Sequence, residues 1–182
     1  MNSFALFTDV SVNPQRKLGV GGYLLLPITF LDRDPHDIKP GELSTRINIK
    51  QFTDTSSTKL EVQTVLWAVE AVREELTCSV PGTLRIYTDS QCVAGLATRR
   101  DRLTDNDFVS KRSGQLLAHA ALYRQFYAAY DRVGFQLIKV PGHRPACSHD
   151  TVQRIFSYVD KEVRKALTVL IDLPAHPHPS AN

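Results

Sequence analysis

The stretch FALFTDVSVNP, residues 4–14, decides how the rest of the chain is read. Phe4, Leu6 and Thr8 alternate with Ala5, Phe7 and Asp9 at the two-residue period of a strand, and Asn13-Pro14 supplies turn chemistry at its end. The alternation sets Asp9 in line with Ala5 and Phe7, near the C-terminal end of an apolar strand. A carboxylate in that position needs a partner or water. The ordinary explanation of one such acid is a turn residue bonding local amides. Only the rest of the chain can give Asp9 a different role.

A chain of 182 residues is long enough for one well-buried domain, and no change of composition marks a second. We expect a single domain over residues 1–172 and a disordered, low-complexity tail over 173–182. Hydrophobic residues at 42% and charged ones at 23% suit a soluble globular protein, and a net charge of +3 is compatible with a polyanionic partner. No apolar run approaches the ~20 residues of a membrane span, and no cationic leader pattern opens the chain, so a cytoplasmic protein without membrane association is expected. Cys78, Cys92 and Cys147 are odd in number and irregular in spacing, which argues against a disulfide framework. Cys147 lies between His143 and His149, but without a second close ligand pair a solvated loop is favoured over a zinc site.

Beyond the first turn, residues 19–30 (GVGGYLLLPITF) suit a strand inside a sheet, and residues 32–45, polar with Pro35, Pro40 and Gly41, suit a surface excursion. Residues 46–52 alternate as a half-exposed strand near an edge. From Ser57 the period becomes helical, with Val62, Val65, Leu66, Val69 and Val72 as its stripe and Pro81-Gly82 as its stop. Glu61 falls on the inward side of that helix. Thr58-Lys59-Leu60-Glu61 also fits a capping box, while residues 54–57 offer alternative caps that would place Glu61 further inside. Residues 83–90 (TLRIYTDS) form the next strand and repeat the ending of the first: Phe-Thr-Asp there, Tyr-Thr-Asp here. Residues 90–97 are expected to be helical, with Asp89 or Ser90 as a possible cap.

Mixed charges over residues 98–113 suit a solvated connection. A long helix over 115–132 packs Leu116, Leu117, Ala120, Tyr123, Phe126, Tyr127 and Tyr130. A short strand over 135–140 leads into Pro141-Gly142-His143 and a polar loop. The last helix, about 151–170, carries Asp160 on its apolar stripe, between Phe156 and Val163. An exposed i,i+4 pair with Arg164 is the competing explanation of Asp160, and it fits poorly with an apolar face.

Strand order then carries the argument to chemistry. If the strands ending in Asp9 and Asp89 are joined through a crossover containing the first helix, they lie parallel and adjacent. Both acids then project from strand carboxyl ends, where open α/β sheets place ligands. Carboxylates that close repel unless a cation or a proton lies between them. With Glu61 and Asp160 facing inward, the all-oxygen set points to Mg²⁺ or Mn²⁺.

FTDVSVNP, LGVGGY, SSTKLE, IYTDSQ, KVPGHR and VDKEVRKAL, in this order over residues 4–167, resemble the ordered motifs of type 1 ribonuclease H, with an extended loop before the last acid. The resemblance implies an α/β ribonuclease H-like fold: a five-stranded mixed sheet in the order 3-2-1-4-5, flanked by helices. It implies endonucleolytic hydrolysis of the RNA strand of RNA/DNA hybrids, giving 5′-phosphate and 3′-hydroxyl ends. It also implies two metal ions held by Asp9, Glu61, Asp89 and Asp160, with His143 assisting proton transfer or product departure. By motif position, Ser11, Asn13, Ser57, Thr58 and Gln91 would contact the nucleic acid, where 2′-hydroxyls distinguish RNA from DNA. Val10 stands where that family usually has Gly, and Ser57-Thr58 where it usually has an Asn pair. Competing readings are another nuclease of the same fold, of the resolvase, integrase or exonuclease type, and a catalytically weak nucleic-acid-binding module. Ser-Gln after Asp89 and the Pro-Gly-His loop argue against the first, and the four acids against the second.

Overall fold

In the computed structural model, which describes residues 3–76, 84–141 and 150–172, the opening stretch is strand β1 (Phe4–Asn13) at the centre of the sheet. It pairs antiparallel with β2 (Leu18–Pro27), which pairs antiparallel with the edge strand β3 (Asn48–Thr53). On its other side β1 pairs parallel with β4 (Leu84–Thr88), and β4 pairs parallel with β5 (Phe135–Lys139). The order is therefore β3-β2-β1-β4-β5, the mixed sheet expected from the sequence.

The two sides of β1 enter different cores, as its alternation requires. Leu6 packs with Val62, Val65 and Val69 of α2 (Ser57–Ala71) and with Phe126 of α6 (Ala120–Val133). Ala5 and Phe7 pack instead with Ile155, Val159 and Val163 of α7 (Thr151–Asp172). Helices α2 and α6 thus cover one face of the sheet and α7 the other. The strand side that carries Ala5 and Phe7 also carries Asp9.

Several local expectations need correction. β2 ends at Pro27, opposite Phe4 at the start of β1; Ile28 N still donates to Ser3 O at 2.8 Å, and residues 28–32 then wind into a 3₁₀ turn, Ile28–Asp32, instead of extending the strand to residue 30. The 32–45 segment is not merely a surface excursion: short helix α1 (Pro40–Ser44) buries Leu43, and Ile38 is buried beside it against the α7 side. The Tyr158 hydroxyl donates to Ile38 O at 3.0 Å and ties the segment to α7.

The 90–97 helix is broken at Gly95 into α4 (Gln91–Ala94) and α5 (Leu96–Asp105), after α3 (Arg73–Leu76) has continued the line of α2. Helix α5 replaces much of the expected solvated connection at 98–113. It is held to α6 by Arg100 with Asp131 at 2.5 Å and by the Tyr127 hydroxyl on Leu96 O at 2.9 Å. Helix α6 begins at Ala120 rather than Gln115, because residues 108–117 fold on themselves. Leu117 N donates to Phe108 O and Ser110 N to Gln115 O, each at 2.8 Å, which leaves Leu116 exposed instead of packed. Gly134, at φ 69°, ends α6 in the left-handed conformation that glycine adopts most readily.

Cys92 is a free thiol. Cys78, Pro81-Gly82, the segment with His143, Cys147 and His149, and the 173–182 tail lie outside the described residues. Among the described residues no helix is long and apolar enough to cross a membrane.

Candidate active site

Asp9 is nearly enclosed, 8% exposed, and stands opposite Gly22 of β2. On the parallel side the register runs Phe4↔Leu84 to Phe7↔Tyr87, and continuing it two residues sets Asp89 abreast of Asp9. The stacked rings of Phe7 and Tyr87, 4.8 Å between centroids, form the floor below the acids on the α7 face. Asp160 arrives on that face from α7 and shares a hydrogen bond with Asp9. Burial, then the charge of Asp89, then the pairing with Asp160 push the Asp9 carboxyl up to about 8, and only the Val10 amide opposes them. Two carboxyl groups can share a hydrogen bond only if a proton lies between them, and the enclosure of Asp9 raises its hold on one. Asp160 turns its other side to Arg164, whose Nε donates to Oδ1 at 2.7 Å. The intrahelical pair therefore exists, and it does not displace Asp160 from Asp9.

The approach of both helices to the acid end of β1 depends on small residues in β2. A Cβ at Gly22 would lie 2.4 Å from Val163 Cγ2 of α7, and one at Gly21 would lie 2.1 Å from Thr64 Oγ1 of α2. Both distances are below any real contact, so a side chain there would push the helix outward. Gly22 is the cross-strand partner of Asp9, and Val163 lies one turn from Asp160. The glycines of the GVGG run therefore set how near the helical acids come to the strand acids.

Glu61 belongs to α2 and reaches the site from the opposite face. It does not form the capping box: the N-cap residue is Ser56, which makes no side-chain cap bond, and Glu61 lies a turn inside. Its Oε2 accepts from the Ser90 hydroxyl at 2.5 Å and its Oε1 from the Ser57 hydroxyl at 3.3 Å. The structure thus brings Asp9, Asp89 and Asp160 together on one face and holds Glu61 on two serines across the sheet end. Among the described residues no group of three or more His, Cys, Asp or Glu side chains is placed to hold a metal ion. The donors themselves fit a hard divalent ion: all are carboxylate oxygens, and the enclosed one has its pKa raised by burial and by neighbouring charges that a cation would balance.

The other expected contacts are spread around this end of the sheet. Ser11 and Asn13 follow Asp9 on β1, and Asn13 Oδ1 accepts from Arg16 N at 3.0 Å in the β1–β2 turn. Ser57 is exposed at the start of α2, followed by half-buried Thr58. Ser57 lines a cleft of about 330 Å³ together with Lys17, Lys59, Thr55 and Ser56. Gln91 is exposed at the start of α4, and its Oε1 accepts from Lys139 Nζ. His143 lies outside the described residues. Val10 needs no glycine-like backbone: it is a regular ladder residue opposite Gly21 and is not among the residues with positive φ.

Sequence reasoning missed Ser90 as a partner of Glu61 and Lys139 as a partner of Gln91. Ser90 was legible only as a helix cap. For Lys139 the signal was its place at the end of β5, which the ladder sets beside Thr88, one residue before Asp89.

A family model described as RNase H matches residues 1–165 of this chain. No curated protein matches it in sequence. Among solved structures, a foamy viral protease-reverse transcriptase in complex with dsDNA is similar in fold, with a TM-score of 0.56 and 14% identity over 90% of this chain and 94% of that one.

Proposed function

The chain belongs to the RNase H family, and on that premise we propose that it hydrolyses the RNA strand of RNA/DNA hybrids endonucleolytically, leaving 5′-phosphate and 3′-hydroxyl ends. The observation that supports this reading best is the enclosed Asp9 carboxyl with Asp89 and Asp160 converging on it; β1 does not end at Asp9 as the sequence suggested but runs on to Asn13, and the acids meet just beyond the last parallel β1–β4 pair, Phe7 with Tyr87. In the proposal Asp9, Glu61, Asp89 and Asp160 hold Mg²⁺ or Mn²⁺, two ions in the substrate complex. The bound ions would supply an activated water and a stabilised leaving oxygen for in-line displacement at phosphorus.

The chain's own residues supply position and charge. Asp9, with a rigid apolar floor below it, is the natural shared ligand. Asp160 reaches it from α7 in an orientation fixed by Arg164. Glu61 completes the set from α2. Ser11, Asn13, Ser57, Thr58 and Gln91 surround the acids with short polar groups suited to phosphates and 2′-hydroxyls, and His143 is assigned proton transfer or product departure. We assign residues 1–172 to one catalytic domain.

The test is a labelled panel of RNA/DNA hybrid, duplex DNA, duplex RNA and DNA with a single embedded ribonucleotide, with Mg²⁺ or Mn²⁺ and with chelator. Cleavage of hybrid that disappears in chelator and in Asp89→Asn is expected. Hybrid cleavage surviving Asp89→Asn would sink the four-acid assignment. A second reading is a nucleic-acid-binding module with weak catalysis. Tight hybrid binding without turnover at any divalent ion concentration would establish that reading.

A further inference from the structure

Ser90 is buried, 5% exposed, and every hydrogen-bonding group it carries is engaged. Its amide donates to Thr88 Oγ1 at 3.1 Å, and its hydroxyl oxygen accepts from Val93 N at 3.1 Å, capping α4. Capping uses a lone pair of the hydroxyl and leaves its proton free to be given elsewhere. That proton goes to Glu61 Oε2 at 2.5 Å, the short distance of a charge-assisted bond. A cap alone explains the Val93 bond and has no need of the second one. Glu61 is itself half-buried, and the helix-capping role open to it in the sequence is not used.

Resting on the metal-ligand role proposed above for Glu61, we infer that Ser90 is a positioning residue that sets the orientation of the Glu61 carboxylate for cation binding. Ser90 directly follows Asp89, so a single backbone segment fixes one proposed ligand through the chain and another through a hydrogen bond. The spacing between the α2 acid and the β4 acid then no longer depends on the free rotamers of Glu61. A carboxylate has about four lone-pair sites, so the bond from Ser90 leaves Glu61 acceptor capacity for an ion. Partners of this kind, hydrogen-bonded to ligating carboxylates, typically carry about 10- to 100-fold in metal affinity. Ser57, at 3.3 Å and exposed, is the weaker support.

The experiment measures Mn²⁺ binding to the full chain by calorimetry, with thermal melts and hybrid cleavage alongside, for wild type, Ser90→Gly and Ser90→Thr. Glycine is tolerated at an N-cap, so Ser90→Gly separates loss of the hydroxyl from loss of the fold. Ser90→Gly is expected to weaken Mn²⁺ binding about 10- to 100-fold. Its cleavage should recover at high Mn²⁺ while KM for the hybrid stays put. Ser90→Thr, which keeps a hydroxyl, is expected to restore affinity to within about threefold of wild type. Wild-type affinity in a folded Ser90→Gly protein would overturn the inference, as would a folded Ser90→Thr that behaves like the glycine variant. Because Mn²⁺ affinity is read without substrate, a failure of hybrid cleavage in the wild type counts against the proposed activity and leaves this result legible on its own.

Discussion

Replacing Asp9 by Asn should make the cation-free protein more stable, by an amount that depends on pH in a defined way. The Asp9 carboxyl titrates near 3.8 in an unstructured chain and is pushed up to about 8 in the folded protein, first by burial and then by Asp89. The folded value lies above the unfolded one, so between these limits the folded protein holds a proton that the unfolded chain has released. Below about pH 4 both states are protonated and Asp9 costs nothing. As pH rises through the window the folded state loses ground, and above about 8 the full cost is present.

At about 1.4 kcal/mol per tenfold change in proton affinity, that rise sets a ceiling of roughly 6 kcal/mol. Part of that rise comes from the charges of Asp89 and Asp160, which can rearrange once Asp9 is neutral, so the single substitution recovers part of the ceiling, on the order of 2–3 kcal/mol. Asn keeps an oxygen to accept from Val10 and removes the charge. For a chain of this length that gain corresponds to a Tm higher by about 5–10 °C at pH 8 to 9. The assay is thermal melting of wild type and Asp9→Asn in chelator from pH 4 to 9. The expected curves coincide at the acid end and separate steadily above it. Adding Mg²⁺ or Mn²⁺ should raise the wild type toward the variant, more at pH 8 than at pH 5, and leave Asp9→Asn largely unmoved. A gap that does not change with pH, or a wild type more stable than the variant at pH 8, would refute the argument that the acids repel in a low-dielectric site.

Other substitutions test the geometry. Gly22→Ala should cost about 1–3 kcal/mol by overpacking against Val163 and depress cleavage by moving Asp160. Adding Val163→Ala should recover much of both, and strict additivity in the double-mutant cycle would show that the two sites do not meet. Asp150 and Gln153 form a reciprocal N-terminal box on α7, Gln153 N to Asp150 Oδ1 at 2.8 Å and Asp150 N to Gln153 Oε1 at 3.2 Å. Asp150→Ala should therefore lower stability by about 1 kcal/mol with cleavage retained, while Asp160→Asn should lower cleavage with stability retained; the reverse pattern in paired melts and rate assays would move the fourth acid to Asp150. Hybrid affinity should fall steeply between low and moderate salt if Lys17, Lys59 and neighbouring cations meet phosphates, and a flat response would point to a partner other than a polyanion.

What the sequence could show depended on whether a residue's place follows from a local period or from a meeting of distant segments. Alternation in 4–14 separates Leu6 from Phe7, and the structure sends these two residues into different cores. The repeated aromatic-Thr-Asp ending made Asp9 and Asp89 partners, and the parallel register sets them abreast. Helical phase placed Asp160 and Glu61 inward, but phase says only that a side chain faces the sheet, not which face of the sheet the helix covers. That choice depends on how the chain crosses over, and it divides the acids: Asp160 descends with α7 on the side of Asp9, whereas Glu61 comes with α2 from the other side and meets Ser90 first. The same limit explains residues 98–113, where local charge suggested solvent but helix α5 runs through to Asp105, with Arg100 paired to Asp131 of α6. Asp9 is the meeting point for this reason. On the α7 face of the central strand it meets Asp160 directly and the charge of Asp89 beside it, so a proton or a cation taken up there is shared through Asp9, while Glu61 is brought in only through Ser90.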